Sequence, residues 1–374
     1  MKLSIEHEGS LYKNPKPGFR AECAFLPNVV PLGGDEIICV YRVGQAFYSN
    51  DGKLALLRST DGARTWQQCG VLWDPASDNV VYNYSVPHAA RLADGTLLLV
   101  ASRIDQSGDL QEPHNEETGG FRYMEKVLFR SEDGGRTWEG PRVIDLGDDG
   151  IADVPSQIIE LTDGRLWIPC EVWKSWDDTS ELHIKGYCLF SQDGGRTWNG
   201  RVDFPSTRNR EKMFSHTRYT KMLDGRILGL QWTQSVGGQQ NFELHRVLSD
   251  RSGTDWPEPI PVGIQAQTCW PADLGEGRLA LAYTSREGRN PGVYVVLSAD
   301  EGLTWDLENQ VQVWDAVGQE FLGVDNVPDY PASHDNIAFG KPNLARLSNG
   351  SLVAAWWCTQ ACVTHARYAK LRVE

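Results

Sequence analysis

One phrase recurs along this chain and limits what it can fold into. It reads Ser59-Thr60-Asp61-Gly62-Ala63-Arg64-Thr65-Trp66, and returns at Ser131–Trp138, Ser191–Trp198 and Ser298–Trp305. A worn copy, Ser249–Trp256, keeps only the serine, the glycine and the tryptophan. Each copy follows a short apolar run such as Lys53-Leu54-Ala55-Leu56-Leu57-Arg58, which reads as a strand entering a tight Asp-Gly turn. Serine and aspartate can accept the turn's backbone N–H groups, glycine supplies positive φ, and tryptophan anchors the hairpin in the core. A single copy would imply a hairpin and nothing more. Recurrence every roughly 50–70 residues implies a repeat architecture.

A second repeat lies upstream of the phrase. Val86-Pro87-His88-Ala89-Ala90-Arg91-Leu92-Ala93-Asp94-Gly95 and Val154-Pro155-Ser156-Gln157-Ile158-Ile159-Glu160-Leu161-Thr162-Asp163-Gly164 both read as a strand leading to an Asp-Gly hairpin. Proline opens the strand, where no central ladder bond is lost. Lys341-Pro342-Asn343 repeats the pattern, with variants at Pro27-Asn28, Thr217-Arg218 and Trp270-Pro271. The S-x-D-x-G-x-T-W phrase resembles the Asp-box of the sialidase (neuraminidase) superfamily, and the resemblance covers nearly the whole chain. It implies an all-β, six-bladed β-propeller with the Asp-box hairpins at the blade periphery, away from any active site. His365 to Val373 is expected as the third strand of blade six, with Leu3 to Leu11 outside it. The N- and C-terminal strands would thus close the ring and remove free sheet edges. No Pro/Gly/Ser-rich linker divides the chain, so residues 1–374 are expected to form one domain.

Bulk properties narrow the partners. A net charge of −14 with no basic stripe argues against nucleic acid, although an arginine cluster could still reverse the field inside one cleft. No run of about eighteen apolar residues is present, so no membrane span is expected. The first residues show no secretory pattern and the eight cysteines are scattered singly, which suits a reduced, cytoplasmic protein. No phosphate loop, dinucleotide fingerprint or histidine pair at metal-ligand spacing occurs, so neither cofactor nor metal is expected.

In a propeller the starts of the innermost strands converge on one end of the central channel. Those slots hold Glu22 and Asn28 in blade one, Tyr84 and His88 in two, and Asp153, Ser156 and Gln157 in three. Blade four supplies His216 and Arg218, blade five Gln267 and Trp270, and blade six Lys341 and Asn343. Strand alternation points His216 and Arg218 the same way. Sialidases carry an Arg-Ile-Pro phrase at the blade-one strand start, whose arginine helps clamp the sialate carboxylate, and a tyrosine nucleophile just before the blade-six inner strand. Here the first stretch is Phe25-Leu26-Pro27, with Arg20 the nearest arginine, and Lys341 occupies the second slot. Tyr330 lies in the preceding loop.

Three functions fit this ring. A glycoside hydrolase needs two carboxyl groups, for which Asp153, Glu171, Glu22 and Asp335 are candidates. Glu171 ends an apolar strand, where desolvation would raise its pKa and suit an acid. A polysaccharide lyase, also met among propellers resembling this fold, would use His88, His216 or a tyrosine as base and Arg218 to neutralise a uronate. A sugar-binding module would need only stacking platforms such as Trp173, Trp176, Trp232 and Trp270. The resemblance favours a sialidase-like hydrolase that removes a terminal acidic sugar from an oligosaccharide or polysaccharide. Its expected catalytic residues are His88, Asp153, Glu171, His216 and Arg218, with Arg20, Glu22, Tyr84, Gln157, Trp270, Lys341 and Asn343 contacting substrate.

Overall fold

The computed structural model describes residues 1–47, 49–73, 80–107, 113–115, 117–147, 152–205, 208–286, 290–317 and 338–374. Six antiparallel sheets follow one another along the chain and form the six blades of a β-propeller. Blade one runs outward from the channel through Cys23–Gly33, Glu36–Gly44, Lys53–Ser59 and Gln67–Trp73. Blades two, four and five repeat that order, with inner strands Tyr82–Arg91, Lys212–Lys221 and Cys269–Gly275. In blade three the inner strand is broken into Ala152–Asp153 and Ile159–Glu160, both paired with Leu166–Val172. Blade six comprises Phe339–Arg346, Leu352–Gln360 and Val363–Val373, and Leu3–Tyr12 supplies its outer strand in the register Leu3↔Val373. The two chain ends therefore close the ring as expected.

Six apolar clusters fill the six gaps between adjacent blades. The repeated phrase explains most of them. Trp66 packs against the cluster between blades six and one, Trp138 against that between one and two, and Trp198 against that between two and three. Trp256 joins the core between three and four, and Trp305 packs against that between four and five. Each indole is thus a wedge into the preceding blade. In the remaining gap, which has no such hairpin, Trp270, Trp314 and Trp356 fill the volume instead.

The hairpin geometry bears out the turn chemistry. Asp133 Oδ1 accepts the N–H groups of Arg136 and Thr137 at 2.9 Å each, and the Gly135 N–H donates to Ser131 Oγ at 2.8 Å. The worn copy keeps more than its sequence suggests. Asp250, one position early, accepts from the N–H groups of Thr254 and Asp255 at 3.0 Å each, so the aspartate is shifted and not lost.

Four inner strands carry a bulge at one equivalent place, seen as register breaks at Phe25/Asn28, Ser85/His88, Ser215/Arg218 and Gly340/Asn343. At each, a residue other than glycine sits at positive φ: Leu26 at 56°, Val86 at 49°, His216 at 47° and Lys341 at 43°. Such a conformation costs of order 1–3 kcal/mol, and a β-branched valine is an extreme case. A bulge also frees N–H groups from the ladder, and side chains of the preceding blade take them up. Asn343 Oδ1 accepts the Val29 N–H, and Asn28 Oδ1 accepts the Ala89 N–H, each at 2.8 Å. Ser156 Oγ accepts from the Tyr219 N–H at 3.3 Å, and Thr268 Oγ1 from the Lys341 N–H at 3.2 Å. Asn343, expected to contact substrate, is occupied in this way as a buried pin between blades six and one. Asn343→Ala should lower the unfolding free energy by about 1–3 kcal/mol, the cost of a buried unsatisfied N–H. A change below about 0.5 kcal/mol in denaturant titration would show that the pin carries nothing.

Candidate active site

The strained bulges face a cavity at one end of the channel. Val86, His216 and Lys341 line it, together with Asp153 at the end of the broken blade-three strand. Its walls are aromatic, formed by Phe47, Phe121, Trp173, Trp232 and Trp357. Phe121 arrives on the insert between the blade-two strands Leu97–Asp105 and Glu125–Ser131, and it pairs with blade three at Ser175. Lys174 Nζ holds that insert by donating to the Thr118 carbonyl at 2.5 Å, and the Thr118 hydroxyl donates to the Trp176 carbonyl at 2.7 Å. The two segments run so close that a Cβ on Gly120 would lie 2.1 Å from the Ser175 oxygen, so only glycine fits there.

Asp153 is the one carboxylate among the described residues that lines the cavity. Its Oδ1 lies 3.1 Å from Lys126 Nζ and accepts from the Ser102 hydroxyl at 3.3 Å, while Lys126 also donates to Ser102 Oγ at 3.0 Å. Burial opposes its charge, but the ammonium groups of Lys126 and Lys341 outweigh burial and hold the carboxyl well below its usual range. Asp153 is therefore ionised. Lys341 is affected in the opposite sense: burial, then repulsion from Arg218, against the attraction of Asp153, bring it down to about 8. Arg286 lines the same cavity and donates from Nη2 to the Phe339 carbonyl at 2.7 Å. The His216 ring stacks on Trp232 at 17° and 5.7 Å between centroids, with Trp173 at 5.6 Å.

Glu171 pairs directly with Asp153 across blade three but takes no part in lining the cavity. Its two oxygens accept the N–H groups of His216 and Thr217, at 3.0 and 2.9 Å, which the blade-four bulge has released. Burial raises its pKa to about 7 despite those donors and the nearby Arg218. The raised pKa expected of Glu171 is present, yet the side chain stands as a staple between blades three and four.

Beneath the cavity lies a smaller chamber on the channel axis, sharing Val86 and Lys341 with it. His88, Arg218 and Trp270 line this chamber. His216 and Arg218 therefore do not share a face, because the bulge between Ser215 and Arg218 breaks the alternation on which that expectation rested. The other expected binding residues lie elsewhere. Tyr84 is fully buried in the core between blades one and two, where its hydroxyl accepts from Arg103 at 3.3 Å. Gln157 donates to the Tyr219 carbonyl at 3.3 Å and so bridges blades three and four. Arg20 borders a separate surface depression formed by residues 15–20, and Glu22 lines neither the cavity nor the chamber. Tyr330 and Asp335 lie outside the described residues. Lys126, Ser102 and Arg286 were not singled out from sequence. A lysine directly before the apolar run Val127-Leu128-Phe129 was the one signal available for Lys126. Among the described residues no group of His, Cys, Asp and Glu side chains is arranged to hold a metal ion.

Glu171→Gln would turn one acceptor into a donor facing a backbone N–H. It should cost about 1–3 kcal/mol of stability, checked by denaturant unfolding, and an unchanged midpoint would show that the carboxylate does not hold the bulge.

No family model matches the chain. A sialidase from Bacteroides fragilis is 24% identical over 280 residues, covering 68% of this chain and 49% of its own, so the chain spans about half the length of that relative. Among solved structures, a Dyadobacter fermentans protein of unknown function superposes with a TM-score of 0.74 at 16% identity, covering 100% of both chains. A Hadza microbial sialidase gives 0.69 at 15% identity, covering 97% of this chain and 68% of its own. An α-L-arabinanase from Penicillium chrysogenum gives 0.63 at 15% identity, with 98% of both chains covered. With its hairpins, ring closure and central cavity in place, this chain has the six-bladed β-propeller fold of the sialidases.

Proposed function

We propose that this protein is a glycosidase that takes a terminal acidic sugar of a glycan into the central cavity. The observation that carries the reading is Asp153, an ionised carboxylate paired with Lys126 and lowered further by the charge of Lys341, lining an aromatic-walled cavity. Aromatic faces suit the apolar faces of sugar rings. Lys341 and Arg286 add positive charge beside Asp153, which suits a sugar that brings its own carboxylate. In this reading Asp153 acts at the anomeric carbon, as nucleophile or as the base for water. His216, set between two indoles at the rim, protonates the departing oxygen. The sialidase relative and the sialidase and arabinanase neighbours, all acting on sugars by their names, support this choice of chemistry.

One observation favours a second reading. Asp153 is alone among described carboxylates in the cavity, whereas hydrolysis by the usual route employs two. Elimination next to a uronate needs a base and a cation for the carboxylate, roles that His216 and Lys341 could take.

Mass spectrometry of products from sialylated and uronate-bearing oligosaccharides separates the two. Fragments that together gain one water are expected. Fragments that sum to the substrate mass, one bearing a new double bond, would replace hydrolysis by elimination, and no cleavage across the panel would overturn both. Asp153→Asn should lower kcat by at least about a hundredfold with the fold intact. Lys341 is charged below about pH 8 and loses its proton above it. For an acidic substrate kcat/KM should therefore fall as pH rises through about 8, and Lys341→Arg should move that limb upward. A limb unmoved by the substitution would remove Lys341 from substrate binding.

A further inference from the structure

The axial chamber beneath the cavity shares Lys341 with the proposed substrate site, but its other polar groups, His88 and Arg218, have no part in the proposed reaction and lack a close counterpart among the described residues. His88 is 6% exposed, and both of its ring nitrogens are buried without a hydrogen-bond partner. Arg218 is 3% exposed, and among the described residues its hydrogen bonding amounts to a long contact from Nη1 to the Thr217 carbonyl at 3.4 Å. Its guanidinium carbon lies 5.5 Å from the Trp270 ring centre, which also stands 5.8 Å from the His88 ring. Lys341 closes the upper side.

The nearest carboxylates are committed elsewhere. Asp153 serves Lys126, Glu171 serves two backbone N–H groups, and neither lines the chamber. The equivalent slots of neighbouring blades underline the point. Asn28 and Asn343, two residues past their own bulges, spend their side-chain oxygens on the next blade, while His88 and Arg218 hold those slots in blades two and four without such a bond. The remaining lining includes Pro27, Pro87 and Pro342, which have no N–H to offer. The chamber is small, with room for about one particle of water size or slightly larger.

We infer that this chamber is a binding site for one small monovalent anion of halide size, held by Arg218 and Lys341 with the His88 imidazole N–H as a third donor. The anion offsets buried positive charge that Asp153 and Glu171, both hydrogen-bonded elsewhere, offset only in part. The mutual repulsion of these groups agrees, since burial first and Arg218 next depress both His88 and Lys341. A water molecule would satisfy the imidazole but leave the charge uncompensated.

The test needs no substrate, so it stands apart from the glycosidase reading. Crystals of the unmodified protein grown in sodium bromide should show anomalous density in the chamber between His88, Arg218 and Lys341. Bromide on the outer surface alone, or an uncharged water in the chamber, overturns the inference. In solution at constant ionic strength, replacing gluconate by bromide should raise Tm by about 2 °C or more, as expected for a ligand that binds only the folded state. Arg218→Met should abolish that rise, and a rise that persists in the variant overturns the assignment to these residues. Should the variant fail to fold, the anomalous density decides.

Discussion

The centre of this propeller depends on what becomes of the backbone N–H groups that its bulged inner strands release. A regular inner strand would satisfy them in its own ladder, and the channel would then be lined by ordinary alternating side chains. At four blades the ladder is broken at the same place, and the acceptor comes from elsewhere. Thr268 serves Lys341, Asn343 serves Val29, Asn28 serves Ala89, and Glu171 with Ser156 serves residues 216, 217 and 219. Each acceptor belongs to the blade before. The bonds that mend the strain therefore also fasten the ring, and neither task can be altered alone.

That arrangement explains how a ring of similar slots can do unlike jobs. The residue on the bulge itself is turned by its positive φ toward the cavity, which brings His216 and Lys341 beside Asp153. Two residues later the side chain either pins the next blade, as Asn28 and Asn343 do, or is released toward the axis, as with His88 and Arg218. Conformational strain of this kind persists only where the surroundings over-determine it. Here the surroundings are a wedge of tryptophan between most blades and a carboxylate or amide on most freed N–H groups.

The features legible in the sequence were those encoded locally. The Asp-Gly hairpins repeat their own hydrogen bonds within a few residues, so the pattern S-x-D-x-G-x-T-W is its own explanation, and the six blades and the closed ring came with the family resemblance that this pattern carries. The polar ring was also visible, because polar residues opening apolar strands are conspicuous. What could not be read was direction. His216 and Arg218 look equivalent under strict alternation, and one bulge separates them into two compartments. Tyr84 stands at a strand start like its neighbours but turns into the core between blades. The Glu171 environment was foreseeable from its apolar strand, whereas its partners lie 45 and 46 residues away on the next blade. Lys126 reads as an intruder in a buried strand until Asp153 is seen across the blade boundary.

The electrostatics of the centre follow from the same geometry. A buried charge is tolerated when it is paired and hydrogen-bonded, and Lys126 with Asp153 and Ser102 meets that condition. Arg218 and Lys341 do not form such a pair among the described residues; of the two carboxylates that attract them, Asp153 is paired with Lys126, and Glu171 is spent on backbone amides with its pKa raised to about 7. The centre thus carries an excess of positive charge in a chain whose net charge is −14. A globally acidic surface with a locally cationic cavity attracts an anionic group only at short range, because screening removes the field beyond about 10 Å. For the acidic sugar proposed above, selectivity would then be exercised inside the cavity, among its aromatic walls, where each remaining charge acts more strongly than in water.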